Sequence, residues 1–206
     1  MTAPIELVLF DIGGVLGSNG WDREQRSAAL ERFGMTSEED EFQYRHEETV
    51  GALEAGEISL DEYLDVTVFC EGRNFSREEF KAFMFAQSEP WPQSIAVARE
   101  LAQAGNARLA TLNNESEALN VHRIDEFGLR DIFPVFFSSC WLGVRKPTLE
   151  IYSRAVSMAQ ADPRRVVFVD DRKQNLNPAA AMGMHTIQFQ SAEQLRVNLQ
   201  ALGLLS

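Results

Sequence analysis

The chain has 206 residues, of which 45% are hydrophobic and 24% are charged, and its formal net charge is −12. This length and composition fit one soluble domain with a good core, or one domain with a small insertion. Because nucleic acids and anionic membranes attract basic surfaces, the acidic balance argues against both as partners. An anionic substrate is still allowed, since a metal ion or a local lysine can reverse the field inside one cleft.

The N-terminus and the cysteines indicate the compartment. Residues 1–6 contain no basic segment, and the apolar run that follows is too short for a signal peptide or a membrane span. Cys70 and Cys140 lack the spacing of a zinc site or a disulfide framework, so we interpret both as buried free thiols. The sequence predicts a cytoplasmic protein, with a monomer or a homodimer as its expected state.

Short apolar runs predict five β-strands, at residues 5–10, 107–112, 135–138, 165–169 and 185–189. Helical periodicity follows each later strand and precedes the second, at residues 92–104, 115–127, 148–160, 175–182 and 191–202. Strands that alternate with helices of this length indicate βαβ units. We therefore predict an α/β fold, with a three-layer, Rossmann-like core around a parallel sheet and right-handed crossovers.

Residues 17–90 interrupt this alternation. They contain helical patterns at 21–33, 37–55, 59–69 and 76–87, with Ser37 and Ser59 as predicted N-caps. An insertion directly behind the first strand must leave the sheet at its carboxyl edge, where it would cover a site as a lid. We predict a helical cap domain at 17–90 and an α/β core formed by 1–16 and 91–206.

Polar residues follow the predicted strands at the edge where open α/β sheets bind ligands. They are Asp11 before Gly13-Gly14, Lys146 before Pro147, and Asp170-Asp171. Each alone has a structural explanation, such as a strand end, a surface lysine or a helix cap. Together they suit phosphoryl transfer, because an aspartate can attack phosphorus while Mg²⁺ and a lysine offset the repulsion between anions.

The order of these motifs resembles the haloacid dehalogenase-like hydrolase superfamily, in the subgroup with a helical cap after the first strand. The motifs are Phe10-Asp11-Ile12-Gly13-Gly14-Val15-Leu16, Leu112-Asn113-Asn114, Arg145-Lys146-Pro147 and Val169-Asp170-Asp171, and the resemblance covers residues 5 to about 190. It implies that Asp11 is the nucleophile and a Mg²⁺ ligand, with the Gly13 carbonyl and Asp171 as further ligands. Asp170 is a ligand or supports one.

The same resemblance assigns the anion-binding groups. Lys146 is the motif's lysine, and Asn113 occupies the position where relatives carry a serine or threonine that binds a phosphate oxygen. Asn114 adjoins it, and Thr111, two residues before Asn113 on the same strand face, is the reserve candidate. An asparagine amide can also donate a hydrogen bond to phosphate.

Gly13 is the main departure, because phosphatases of this superfamily usually carry there a second aspartate that protonates the leaving group. Asp22 is a candidate substitute. The predicted function is a Mg²⁺-dependent phosphatase of a small phosphorylated metabolite, acting through an aspartyl-phosphate on Asp11. Two alternatives stay open: a 2-haloacid dehalogenase, and a homologue that binds ligands but has lost turnover.

Several other residues are assigned to packing or solvent. His46, His122 and His185 form no metal pattern, and we interpret them as structural or solvent-facing. Phe80, Phe83 and Met84 have helical spacing and are expected to pack inside the cap. Trp21 is expected either at the mouth of the cleft or between cap and core.

Overall fold

A computed structural model describes residues 4–206. Its single sheet has five parallel strands in the order β3-β2-β1-β4-β5. The strands are β1 (Leu7–Phe10), β2 (Arg108–Asn113), β3 (Val135–Ser138), β4 (Val166–Asp170) and β5 (His185–Gln188). All five predicted strands are therefore confirmed, and β1 lies at the centre, where every one of its residues is buried.

Helices cover both faces of this sheet. The helices of the chain are α1 (Arg23–Arg32), α2 (Glu39–Glu54), α3 (Leu60–Thr67), α4 (Arg77–Ala86), α5 (Pro92–Ala104), α6 (Glu117–Glu126), α7 (Ser139–Leu142), α8 (Leu149–Ala159), α9 (Lys173–Ala181) and α10 (Ala192–Ala201). Apolar residues of α5, α6 and α10 pack on one face, and those of α8 and α9 pack on the other. The three-layer, Rossmann-like α/β architecture is confirmed.

Helices α1–α4 form a separate layer around their own apolar cluster, in which Phe80 and Met84 are fully buried. Phe83 is partly buried against the same cluster, so the predicted packing role of all three residues is confirmed. The chain leaves and re-enters the core side by side: Ser18 N donates to Glu89 O, and Trp91 N donates to Leu16 O. We propose this double crossing as the boundary of the helical insertion, residues 17–90.

Side-chain N-caps begin four of the described helices, α1, α3, α4 and α10. Ser59 caps α3 in a capping box with Glu62, as its spacing predicts. The prediction for Ser37 is wrong, because this residue lies inside a 3₁₀ turn, Thr36–Glu38, that leads into α2.

The predicted burial of the two cysteine thiols is also wrong, since Cys70 is exposed and Cys140 is partly exposed. Within residues 4–206, no helix is both long and apolar enough to cross a bilayer.

Candidate active site

Strand alternation brings two acidic side chains to one face of the sheet edge. In β1, Leu7 and Leu9 point towards α8 and α9, and alternation gives Asp11 the same direction. Asp170 extends the same face of β4, beyond Phe168. Since β1 and β4 are hydrogen-bonded neighbours, Asp11 and Asp170 end side by side.

Lys146 joins these two carboxylates. Its Nζ lies 2.8 Å from Asp11 Oδ2 and 2.7 Å from Asp170 Oδ2, and only 4% of the residue is exposed. Burial alone would lower the pKa of the lysine, but Asp11 and Asp170 raise it above its ordinary value. The ammonium therefore stays charged, and it is the one side-chain cation bonded to Asp11 among the described residues.

Burial raises the pKa of Asp11 to about 8, with Lys146 opposing the shift and Asp170 adding to it. The negative charges of Asp170 and Asp171 thus add to the effect of burial. Oxygens of Asp11, Asp170 and Asp171 all lie within 4.8 Å of one another. A further cation in this cluster would restore the ionised, nucleophilic form of Asp11 at neutral pH.

The two acidic residues at the end of β4, Asp170 and Asp171, have different surroundings. Asp170 is fully buried, and its oxygens accept hydrogen bonds from Lys146 Nζ, Arg172 N and Asn175 Nδ2. Asp171 Oδ1 is buried without a hydrogen-bond partner in the described chain. Burial raises the pKa of Asp171, and Asp170 adds to the shift. An orphaned carboxylate oxygen beside two other carboxyls fits a hard divalent cation such as Mg²⁺.

Gly14 allows the chain to approach this cluster. Its φ is +72°, and a Cβ at this position would lie 2.6 Å from the Asp171 carboxyl carbon. A larger residue would clash with the acid as well as strain the backbone. The position of the Asp171 side chain therefore requires a glycine at residue 14.

Asn114 holds the Lys146 backbone from both sides. Its Nδ2 donates to Lys146 O at 2.9 Å, and its Oδ1 accepts from Lys146 N at 2.8 Å. Asn113 is buried elsewhere, in a ring of hydrogen bonds with Asn120 and Ser138. Thr111 is fully buried, and its hydroxyl has no partner among the described residues. The phosphate-binding roles of Asn113, Asn114 and Thr111 stay predictions.

The space above Gly13 is occupied by an arginine. A Cβ at Gly13 would lie 3.2 Å from Arg123 Nη1 and 3.2 Å from Asn19 Oδ1. Arg123 is 2% exposed, and its Nη1 lies 3.4 Å from Glu115 Oε2. Burial raises the pKa of Glu115 to about 7, although Arg123 opposes the shift and Glu54 adds to it. Arg123 therefore links the position that lacks an acid to a buried carboxyl group supplied by the segment after β2.

One cavity of about 350 Å³ connects the strand ends with the insertion. Asp11, Lys146, Glu115 and Arg123 line it from the core, and Trp21, Asp22, Arg26 and His46 line it from the insertion. The cavity thus lies between the catalytic candidates and α1–α2. It has the size of a site for a small molecule.

His46 and Trp21 of the insertion both line the cavity. His46, which was expected to be structural or solvent-facing, is buried and bonded to Tyr63, so its structural role is confirmed. Trp21 lines the cavity, which is one of its two expected positions, and it packs edge-on against Phe80 inside the insertion. Asp22 caps α1 and pairs with Arg172, with 3.2 Å between Oδ2 and Nη2. Helical spacing alone did not reveal that Arg26 and His46 would meet in this cavity.

Comparison with known proteins identifies the family. Residues 5–183 match the haloacid dehalogenase-like hydrolase family. The chain belongs to this family. The resemblance seen in its sequence motifs is thereby confirmed, and the five-stranded core is the fold expected of a member.

Individual relatives share a low sequence identity with this chain. The chain is 24% identical over 202 residues to D-ribitol-5-phosphate phosphatase of Bacteroides thetaiotaomicron, covering 95% of this chain and 97% of that protein. It is 28% identical over 144 residues, or 70% of its length, to flavin mononucleotide hydrolase 1 of Arabidopsis thaliana. It spans 58% of that relative and smaller shares of several others.

A solved structure shares the fold. It is a haloacid dehalogenase family enzyme from Bacteroides thetaiotaomicron in complex with magnesium and inorganic phosphate. The TM-score is 0.76 and the sequence identity is 22%, with 90% of this chain and 94% of that chain covered. At this identity, the likeness concerns the fold.

Proposed function

We propose that the protein is a Mg²⁺-dependent phosphatase of a small phosphorylated metabolite, with Asp11 as the nucleophile. The observation that carries this proposal is the cluster of Asp11, Asp170 and Asp171 around Lys146 at the wall of one cavity. The relatives that act on phosphate esters and the neighbour bound to magnesium and phosphate support it.

In this mechanism Asp11 Oδ2 attacks phosphorus, the bond to the leaving oxygen breaks, and an aspartyl-phosphate forms. The Ile12 backbone N–H donates to Asp11 Oδ1 at 2.9 Å and fixes the carboxylate, so that the other oxygen can attack. Lys146 offsets negative charge on the nucleophile and on the phosphoryl oxygens. Water then hydrolyses the intermediate and releases phosphate. Asp170 and Asn114 act on Lys146 and are positioning residues.

Asp11, Asp171 and the Gly13 carbonyl are the groups that would hold Mg²⁺. When bound, the ion supplies positive charge that offsets repulsion between Asp11 and an anionic phosphate. Asp170 is already bonded to Lys146, Arg172 and Asn175, so we assign it a supporting role beside the ion.

Removal of divalent metal is expected to abolish phosphate release. Without added charge, burial and the neighbouring acids hold Asp11 partly protonated at neutral pH. The test is a phosphate-release assay on a panel of phosphorylated metabolites and an aryl phosphate, before and after treatment with EDTA. Activity should return with Mg²⁺. Full activity in EDTA would contradict the proposed role of the metal.

The proton of the leaving group needs another source, because Gly13 has none. We propose Glu115, a buried carboxyl on the cavity wall that pairs with Arg123 beside Gly13. The backbone N–H of Ser116 donates to Glu115 Oε1 at 2.9 Å, and Glu115 Oε2 lies 3.4 Å from Arg123 Nη1. A carboxyl with a pKa near 7 can give a proton to the leaving oxygen and later accept one from water.

Replacing Glu115 by glutamine should change the pH profile with alkyl phosphates. In the wild type, kcat/KM should fall as the pH rises through about 7, since the protonated carboxyl is the active form in the first step. Burial is the main cause of this raised pKa of Glu115, and among the charged neighbours Arg123 lowers it and Glu54 raises it. Glu115→Gln should lose this limb and lower alkyl-ester turnover by about 10²- to 10⁴-fold.

Aryl phosphates provide the control, because their leaving groups need little protonation and should be hydrolysed nearly normally by Glu115→Gln. Asp22→Asn is the matched variant: it keeps an N-cap on α1 and lies on the same cavity. A pH limb that disappears in Asp22→Asn and persists in Glu115→Gln would transfer the role to Asp22.

The other two candidate functions make different predictions. A dehalogenase would attack carbon and has no use for a metal site, whereas the orphaned Asp171 oxygen favours one. A binding protein without turnover is favoured by Gly13 and by Arg123 above it. It would bind Mg²⁺ and phosphate esters but release no phosphate from any member of the panel.

A further inference from the structure

Arg26 is a buried cation without an acidic partner. It is 8% exposed, its Nε donates to Gln43 Oε1 at 3.1 Å, and its Nη1 donates to Trp21 O at 2.7 Å. Both acceptors are neutral, and no carboxylate oxygen among the described residues lies within 4.0 Å of the guanidinium. A buried charge without an opposite charge is costly, and an anionic ligand would offset this cost.

The other cations around the cavity differ from Arg26. Each has a carboxylate partner, in the pairs Lys146–Asp11, Arg123–Glu115, Arg145–Glu54 and Arg172–Asp22. Arg26 lines the same cavity from α1, and its Nη2 makes no hydrogen bond within residues 4–206. Arg26 is therefore the lining cation without a carboxylate in contact among the described residues, and Asp22 and Glu47 act on it only at longer range.

His46 presents a second donor beside Arg26. Trp21 Nε1 donates to the Tyr63 hydroxyl at 3.1 Å, and this hydroxyl lies 2.8 Å from His46 Nδ1. Since the Tyr63 hydroxyl accepts from Trp21, we infer that its own hydrogen is donated to His46 Nδ1. The ring proton of a neutral His46 is then on Nε2. Burial lowers the pKa of His46 to about 4, and Arg26 adds to the shift, so the ring is neutral.

We propose that Arg26 and His46 bind a carboxylate group of the substrate, opposite the phosphate that Asp11 attacks. Arg26 and His46 both line the cavity from the insertion side, and Arg26 Nη2 and His46 Nε2 are the donors that this subsite would use. Two donors match the two oxygens of a carboxylate, and the guanidinium supplies the opposite charge. The substrate class is then a small phosphate monoester of a hydroxy acid. This inference deepens the proposed phosphatase function and depends on it.

Competitive inhibition of the wild-type protein gives a test that needs no variant. Aryl phosphate turnover reports the function of Asp11, while phosphonoacetate and phosphonoacetamide have the same size and differ in their carboxylate. Phosphonoacetate should inhibit about 10- to 100-fold more strongly, the range for a charge-assisted hydrogen bond. Equal inhibition would overturn the carboxylate subsite, and stronger inhibition by methylenediphosphonate would overturn the choice of a carboxylate.

Arg26→Gln should remove this preference, because the amide has neither the charge nor the forked donors of the guanidinium. Arg32→Gln is the matched control on the same helix, with an exposed side chain outside the cavity. It should keep the preference. If Arg26→Gln does not fold, Arg26→Lys keeps the charge with fewer donors and should weaken the preference.

The two proposals fail in different ways. Aryl phosphate turnover that depends on Asp11, with equal inhibition by the acid and the amide, overturns the subsite and leaves the phosphatase intact. A preference that persists in Arg26→Gln also overturns the subsite. No turnover of any phosphate ester overturns the phosphatase, and with it the subsite.

Discussion

Asp11→Asn is expected to lower phosphate release by at least about 10⁴-fold, which is the scale for loss of a nucleophile. The amide keeps the size of the side chain but cannot form an acyl phosphate. Lys146 would still pair with Asp170 at 2.7 Å, so the fold should persist. Steady-state assays on the best substrate of the panel, together with a thermal melt, measure both effects.

Asp22→Asn is the matched control for this change. It removes one carboxylate from the wall of the same cavity, and asparagine is an equally good N-cap for α1. The lost ion pair with Arg172 is half-exposed, so activity with aryl phosphates should stay within about tenfold of the wild type. Turnover by Asp11→Asn equal to that of Asp22→Asn would show that another group attacks phosphorus.

Lys146→Met should have the second largest effect and should act on both stability and turnover. It removes the one ammonium between Asp11 and Asp170, both buried, and leaves their carboxylates facing each other. Loss of one partner of a buried ion pair costs about 3–5 kcal/mol in free energy of unfolding. Turnover should fall by at least about 10²-fold, because a charge at the transferring phosphoryl group is lost.

Chemical denaturation and steady-state kinetics test this prediction separately. Lys173→Gln removes an exposed lysine from the start of α9 and should change neither quantity appreciably. Added Mg²⁺ should recover part of the stability of Lys146→Met, since a divalent ion also offsets the acidic cluster. Wild-type turnover in Lys146→Met would exclude Lys146 from the mechanism.

Much of the core was predictable because its signals are local. Buried apolar runs produced β1 and β4, and the residues just after them, Asp11 and Asp170-Asp171, necessarily share one edge of a parallel sheet. Pro92 and Gly105 delimit α5 as the sequence predicts. The insertion was also visible, since 17–90 contains helical periodicity without a strand.

What the sequence did not reveal depends on how distant segments meet. Arg123 is an ordinary helical residue in the sequence, yet in the fold it fills the space above Gly13. Arg26 and His46 come from different helices, and their position on one cavity follows from the packing of α1 against α2. Asn114 acts on Lys146 across 32 residues, a contact that no spacing rule indicates. The neighbouring residue Asn113 is likewise held by hydrogen bonds with Asn120 and Ser138, which come from other elements.

The most direct measurement is to trap the covalent intermediate. The protein is mixed with Mg²⁺ and substrate, quenched within one turnover, and reduced with borohydride, which converts an aspartyl-phosphate to homoserine. Mass spectrometry of the peptide that contains Asp11 should show this conversion in the wild type, and none in protein quenched without substrate. Conversion at another acidic residue, or turnover with unmodified Asp11, would contradict nucleophilic attack by Asp11.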